Sequence, residues 1–263
     1  MDMDQILRNT ALHDKIAKKY DEIHGEIFNV EEQNRLKRAL AQSLSNIDTG
    51  TKRYRALDFG CGTGNLTRHL IELGVDVTAA DVSRQSLVRV KERFEVETVV
   101  LNGKDLSDFS DDSFDFVACY SVLHHVPDYL HAVSEMARVS RPGGCVYIDH
   151  EPIEEYWTGI PGLDEFRKKV EKPDFSKYFH YKNYVDKLIR VFNPRHTNEG
   201  DIHVWPDDHI EWPLVIETLG RQGFEIVFDD AFLLCRRNYR EDVYWAHRDT
   251  LHDTRVMAFR KTR

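Results

Sequence analysis

The sequence predicts an α/β fold: a doubly wound, mostly parallel sheet, preceded by helices and interrupted by an inserted segment. Three observations carry that reading. From Arg55 to Asp149 short apolar runs alternate with amphipathic stretches, as strands and crossover helices do in βαβ units. The connections between them are short, which right-handed crossovers on a parallel sheet allow. The central runs are almost continuously apolar, as strands covered on both faces must be.

Strands are expected at 56–59, 75–80, 98–101, 114–120 and 145–149, with helices at 66–73, 86–94 and 127–139. Gly74 is placed to end the first of these helices and Ser83 to cap the second. Residues 104–112 form a polar piece too short for a full helix. Arg141-Pro142-Gly143-Gly144 reads as a turn, because proline and glycine both bar a helix from continuing. Before the sheet, Leu12, Ile16 and Tyr20, then Leu36, Leu40 and Leu44, recur at helical spacing. Residues 1–50 are therefore expected as an N-terminal helical segment, broken near Gly25 and Val30-Glu31-Glu32.

The main domain is expected over 51–263, with an insertion at about 151–212. That insertion holds Pro152, Pro161, Pro173, Pro194 and Pro206 among many Tyr, Phe, Trp and Lys residues. It is too aromatic for a disordered linker, and reads as a mostly helical lid over the carboxyl ends of the strands. Pro213 then starts a helix reaching about Arg221. A run at 224–228 extends the sheet, with 232–234 a further candidate for the same edge, and 255–259 closes it; counting 224–228 and 255–259 as the last two strands makes a seven-stranded sheet.

Composition narrows the function. A formal charge of −9 over 263 residues argues against a nucleic-acid partner, which calls for a concentrated basic surface. The polar start Met1-Asp2-Met3-Asp4 has no apolar targeting run behind it, and no apolar stretch is long enough to span a bilayer. A cytoplasmic protein with no membrane partner is the expectation. Cys61, Cys119, Cys145 and Cys235 are scattered and form no Cys-x-x-Cys pair. They read as buried free thiols, with no thiolate metal site.

Asp58-Phe59-Gly60-Cys61-Gly62-Thr63-Gly64 carries most of the information. A strand that turns through closely spaced glycines into a helix presents backbone N–H groups and lets a ligand come close. Asp81, at the end of the next apolar run, is an acid placed to accept hydrogen bonds from a ribose diol. Together they describe a site for an adenosine-bearing cofactor. The spacing is Gly-x-Gly-x-Gly, whereas dinucleotide proteins favour Gly-x-Gly-x-x-Gly around a pyrophosphate.

With Ser113-Phe114-Asp115, Leu123-His124-His125 and Arg141-Pro142-Gly143-Gly144 in the same order, the segment from Arg55 to Asp149 resembles the core of the class I S-adenosylmethionine-dependent methyltransferases. The likeness is strongest to the branch that includes the quinone-biosynthesis enzymes. The resemblance implies a Rossmann-like sheet and S-adenosylmethionine as cofactor. Gly60, Cys61, Gly62 and Gly64 would pass close to its methionine part, and Asp81 would bind the ribose, with Val82 against the adenine. Asp58 would either reach the ammonium through water or hold the loop. The adenine edge falls to Asn102-Gly103 or to Asp105, since Ser107-Asp108-Phe109 departs from the family's usual turn; Asn102 is favoured. Tyr120 and Ser121 would border the ammonium, and Tyr20 would either close over the cofactor or serve as a helix core residue.

The sulfonium already carries an activated methyl group, so a general base is needed only for an acceptor protonated at working pH. His125, His150 and Glu151 are the catalytic candidates, beside His124. Asp201, His203, Asp207, Asp208 and His209 could ligate a hard cation, but solvated capping charges explain them better, so no metal is expected. Tyr178, Tyr181, Tyr184, Arg195, Trp205 and Trp212 are candidates for an acceptor pocket, and Arg236, Arg237 and Tyr239 for an anion site. The expected activity is methyl transfer to a small-molecule acceptor, such as a sugar or natural-product intermediate. The oligomeric state stays open between monomer and homodimer. A nicotinamide-dependent oxidoreductase and an inactive cofactor-binding module are the alternatives.

Overall fold

The structure, a computed structural model, describes residues 25–172 and 210–262, together with Thr10 and Asp14. Its strands are β1 (Arg55–Phe59), β2 (Asp76–Asp81), β3 (Glu97–Val100), β4 (Phe114–Tyr120), β5 (Ser140–Pro152), β6 (Phe224–Phe232) and β7 (Thr254–Lys261). They form one seven-stranded sheet in the order β3-β2-β1-β4-β5-β7-β6. β1 to β5 run parallel, and β7 is antiparallel to both of its neighbours. The doubly wound, mostly parallel sheet read from the sequence is the one observed.

The helices are α1 (Val30–Leu44), α2 (Asn65–Glu72), α3 (Arg84–Arg93), α4 (Tyr129–Val139), α5 (Glu155–Thr158), α6 (Leu163–Val170), α7 (Trp212–Arg221) and α8 (Glu241–His247), with a 3-10 turn at Leu123–His125. Two packed layers cover the sheet. On one face α1 and α2 bury Leu36, Leu40, Leu44, Leu66 and Leu70 against Ala56, Phe116, Ala118 and Tyr147. On the other, α4 and α7 bury Val133, Met136, Trp212, Val215 and Leu219 against Leu57, Val117, Val146 and Ile148. α1 thus belongs to the core of the sheet. Its start is fixed by Asn29, whose Oδ1 accepts from the Glu32 backbone N–H at 3.0 Å. Ser83 caps α3 in the same way, its hydroxyl oxygen accepting from the Ser86 N–H at 3.0 Å, and Gly74 follows α2 at φ 79°.

The expected turn at 141–144 is instead the irregular start of β5. α4 ends at Val139 and the chain enters the sheet directly, Ser140 pairing with Phe114 before a register shift restores the pairing at Cys145. Pro142 and the two glycines stop the helix, as the sequence implies, but they also shape a bulge. Gly143 sits at φ 78°, and a Cβ there would stand 2.1 Å from the Asp48 carbonyl oxygen. Its own carbonyl accepts from the Asp48 N–H at 2.8 Å.

β6 is also longer than expected, running unbroken through Asp229 and Asp230. Those acids lie exposed on an edge strand, and Asp229 is paired with Arg255 of β7 at 2.7 Å. Between β6 and β7, α8 packs with α6 in a satellite core of Phe166, Val170, Leu233, Tyr239 and Tyr244. Two backbone bonds join these segments, Arg240 N–H to Val170 O at 2.7 Å and Lys172 N–H to Asn238 O at 2.9 Å. The expected lid at 151–212 therefore contributes β5's end, α5 and α6 among the described residues; its remainder, with Tyr178, Tyr181, Tyr184, Arg195, Trp205 and the Asp201–His209 cluster, lies outside them. Trp212 is fully buried core, its indole N–H donating to Pro152 O at 3.0 Å, and it is no pocket residue. All four cysteines are free thiols, and Cys235 is half-buried. Among the described residues no helix is long and apolar enough to cross a membrane, and no cluster of His, Cys, Asp or Glu fits a metal.

Replacing Gly143 by alanine forces a side chain into the Asp48 carbonyl at a left-handed backbone position. The expected loss is roughly 2–4 kcal/mol of unfolding free energy. Urea denaturation of Gly143→Ala checks it, and an unchanged midpoint would contradict the close approach.

Candidate active site

A cavity open to solvent at its mouth lies at the carboxyl ends of β1, β2 and β4. Its floor is the loop that leaves β1. Gly60 and Cys61 both donate their N–H groups to Ala80 O, at 2.8 and 3.0 Å, which hooks the loop onto β2. Gly60 and Gly64 face protein, since a Cβ on them would stand 2.6 Å from Val122 and 2.7 Å from Phe94. Gly62 differs: its φ is 51° and no atom lies within 4 Å of where its Cβ would be. That open space borders the cavity. α2 starts at once, its N-cap Gly64 offering no side-chain cap.

Asp81 ends β2 beside this loop and lines the cavity. One carboxylate oxygen accepts from the Gly62 N–H at 2.8 Å, the other from the Ser83 N–H at 2.7 Å. The single carboxylate thus sets the position of the glycine loop and of the helix start behind it.

Asp58 is fully buried beneath the loop, and its Oδ2 accepts from the Thr67 hydroxyl at 2.5 Å. Burial pushes its pKa up from 3.8 to about 7, against the Thr67 bonds and with help from the Asp81 charge. Of the two roles weighed for Asp58, the geometry matches holding the loop: it ties β1 to the first turn of α2.

The far wall is the turn after β4. Tyr120, Ser121, Val122 and His125 line the cavity. Ser121 has φ 59° and donates its N–H to Asp149 O at 2.9 Å. Glu151, fully buried, gathers this turn: Oε1 accepts from the Val122 and Leu123 N–H groups at 3.0 and 2.8 Å. Its Oε2 lies 2.8 Å from His124 Nδ1. Glu151 does not border the cavity, and its carboxylate is committed to the turn, so its geometry is that of a positioning group and not of a base. His150 does not border the cavity either and packs behind Tyr120. His125 alone of the three catalytic candidates stands in the wall.

On the adenine side Gly103 and Asp105 line the cavity, whereas Asn102 does not. The Asn102 amide is spent locally. Its Oδ1 accepts from the Lys104 and Asp105 N–H groups at 2.6 and 3.0 Å, and its Nδ2 donates to Asp105 Oδ1 at 2.7 Å. Hydrogen bonds from Ser107, and after them the one from the Asn102 amide, hold the Asp105 carboxyl down at about 2. Tyr20 lies outside the described residues. Sequence reasoning missed Ile27, Leu106, Val126, Pro127, Ala132 and Glu135, which complete the walls. Ile27 had a signal, an apolar residue just before the α1 cap; Leu106, Val126 and Ala132 are apolar residues that serve the core equally well.

The methyltransferase-domain family matches residues 57–148. A demethylmenaquinone methyltransferase of Bacillus velezensis is 36% identical over 190 residues, covering 66% of this chain and 76% of its own. The chain belongs to the class I S-adenosylmethionine-dependent methyltransferases. A ubiquinone biosynthesis O-methyltransferase of Aliivibrio fischeri is 26% identical over 182 residues, 66% of this chain and 76% of its own. The fold matches magnesium protoporphyrin IX methyltransferase of Synechocystis, solved with bound S-adenosylmethionine, at a TM-score of 0.55 and 14% identity, covering 96% of each chain. S-adenosylmethionine is the cofactor of this methyltransferase, which sets aside the nicotinamide alternative. The cradle at Gly62 and the Asp81 carboxylate both fit it.

Because folding raises the Asp58 pKa, the group's contribution to stability is complete below its unfolded value of 3.8 and lost as pH climbs to about 7. An asparagine keeps an acceptor for Thr67 and does not titrate. Asp58→Asn is therefore expected to gain on the wild type between about pH 4 and pH 8, by up to roughly 4 kcal/mol. Urea titrations of both proteins without cofactor measure the gap, and a gap independent of pH would refute the assignment.

Proposed function

We propose that this methyltransferase passes the methyl group of S-adenosylmethionine to a small hydroxylated aromatic acceptor of quinol type, releasing S-adenosylhomocysteine. The observation that carries the acceptor is the 36% identity to a demethylmenaquinone methyltransferase. The 26% likeness to an O-methyltransferase of ubiquinone biosynthesis points to the same chemical class. Among the described residues the cavity walls are largely apolar, with Ile27, Leu101, Leu106, Val122, Val126 and Pro127. A flat ring suits such walls better than the sugar expected from composition, which needs convergent polar groups.

The bound cofactor supplies an activated methyl group, so the protein's share is to bind, align and exclude water. Asp81 would accept from the ribose hydroxyls while holding Gly62 and Ser83. Val82 and Leu101 would sandwich the adenine, and Asp105 with Gly103 would meet its amino edge, Asn102 bracing their turn from outside. Gly60, Cys61 and Gly62, over Asp58, would carry the methionine part, whereas Gly64 packs on Phe94 outside the cavity. Tyr120 and Ser121 would close its far side. His125 stands where the acceptor meets the β4 turn.

Asp81→Asn keeps the shape but puts an amide N–H against one of two backbone donors and weakens acceptance from a diol. Affinity for S-adenosylhomocysteine is expected to fall at least about tenfold, read by calorimetry, with circular dichroism unchanged. The acceptor is tested by mass spectrometry of incubations with reduced 1,4-naphthoquinone, catechol and glucose. Methylated diol or catechol is expected; methylation of glucose alone would overturn the aromatic reading, and cofactor binding with no methylation would favour the inactive module.

A further inference from the structure

The adenine end of the cavity is built on a stretch with no regular structure of its own. Between β3 and β4, residues 101–113 form neither helix nor strand. Leu101, Gly103, Lys104, Asp105 and Leu106 nevertheless line the cavity. A carboxylate carried on such a stretch can tell one purine from another only if the backbone beneath it is fixed.

The fixing comes from α4. Glu135 and Arg138 stand three residues apart and so share one face of that helix. Glu135 Oε2 accepts from the Leu106 N–H at 3.0 Å, and Arg138 Nη2 donates to the Leu106 carbonyl at 2.9 Å. Arg138 Nη1 donates to Phe109 O at 3.0 Å and to Asp111 Oδ1 at 2.7 Å. The pair is itself joined at 2.8 Å through both carboxylate oxygens. Leu106, directly after Asp105, is therefore gripped by both of its backbone polar groups, and its side chain is 1% exposed. Hydrogen bonds from Arg138 hold Glu135 below the ordinary carboxylate range, so the pair stays charged near neutral pH. An ion pair on one helix needs no loop to be formed. This one holds three backbone groups of the loop that carries Asp105.

We propose that Glu135 and Arg138 are positioning residues for cofactor recognition, which fix the backbone at Leu106 so that Asp105 selects a purine bearing an amino group. The inference rests on the placing of Asp105 at the adenine edge proposed above. A 6-oxo purine carries a carbonyl oxygen where adenine carries its amino group, so acceptor would face acceptor. With the loop held from α4, the Asp105 carboxylate cannot retreat from that oxygen. With the loop released, it can. The pair therefore governs the choice between purines more than the affinity for adenine itself.

Calorimetry with S-adenosylhomocysteine and its 6-oxo analogue, S-inosylhomocysteine, reads this as a ratio of affinities, which a uniform loss of folded protein does not move. The wild type is expected to prefer adenine at least about 20-fold. Arg138→Lys keeps the charge beside Glu135 but has one nitrogen where two are used, and its preference is expected to fall below about fivefold. Asp105→Asn can offer a donor to the 6-oxo group and is expected to lose the preference. A preference lost in Asp105→Asn but kept whole in Arg138→Lys overturns the positioning role alone. Equal binding by the wild type, or a preference that survives Asp105→Asn, removes the adenine placing of Asp105 and the inference with it. Amide exchange gives a reading that does not depend on Arg138→Lys folding. In the cofactor-free wild type the Leu106 amide is expected to exchange at least about 100-fold slower than an unstructured one, and Glu135→Ala to remove that protection. Exchange of the wild-type Leu106 amide at the unstructured rate overturns the grip.

Discussion

The site exists because the chain changes direction at β1. From β1 it builds outward to β2 and β3, then crosses back to lay β4 on the other side. The loops leaving β1 and β4 therefore diverge, and no connection can fill the crevice between them. They touch again at one place, where Val122 lies over Gly60 so closely that a Cβ there would stand 2.6 Å away. Each loop is tied by a carboxylate from the next strand outward. Asp81 of β2 takes the Gly62 and Ser83 N–H groups, and Glu151 of β5 takes those of Val122 and Leu123. The two sides of the crevice are held by the same device.

Placing acids in this way has a cost. Asp58, Asp81, Asp149, Glu151 and Glu32 are all buried at or near the carboxyl end of the sheet. Each charge loses its hydration, and only bonds made in the fold can offset that. Asp81 and Glu151 find backbone amides; Asp58 finds Thr67 and is lifted toward its neutral form. Glu32 and Asp149 have Arg35 between them. Burial lifts Glu32 above the ordinary carboxylate range in spite of that arginine. Burial opposes the Arg35 charge too, yet the two carboxylates more than offset it and hold its pKa well above the usual value. Such a cluster adds little net stability, but it fixes α1 against β5 and thereby seats Ile27 in the cavity rim.

The sheet was legible because its strands are apolar runs set between strong helix signals. At Arg141-Pro142-Gly143-Gly144 the residues that stop a helix are also the ones a bulged strand entry uses, and only the nearby Asp48 carbonyl distinguishes the two. Asp229 and Asp230 look like a strand end until the edge position and Arg255 are known. α6 and α8 went unread because each is short, and the apolar face of each is satisfied only by the other. Their partnership is tertiary, and no window of sequence contains both.

The candidate site divides along the same line. The glycine loop and Asp81 are local features, a spacing and a strand-end acid, so they could be placed without coordinates. Asn102 and Glu151 carry the right chemistry at the right distance along the chain, yet both are turned to neighbouring backbone, one outside the cavity and one beneath it. An acid or amide at a strand end always has amides within reach, and its type does not reveal whether a ligand or the fold will claim it. What separates Asp81 from Glu151 is the partner: Asp81 holds a residue without a side chain, and the space above that residue is open. Glu151 holds Val122, whose side chain fills the corresponding space against Gly60. Of two acids doing the same work on the backbone, the one beside an empty Cβ position is the one a ligand can reach.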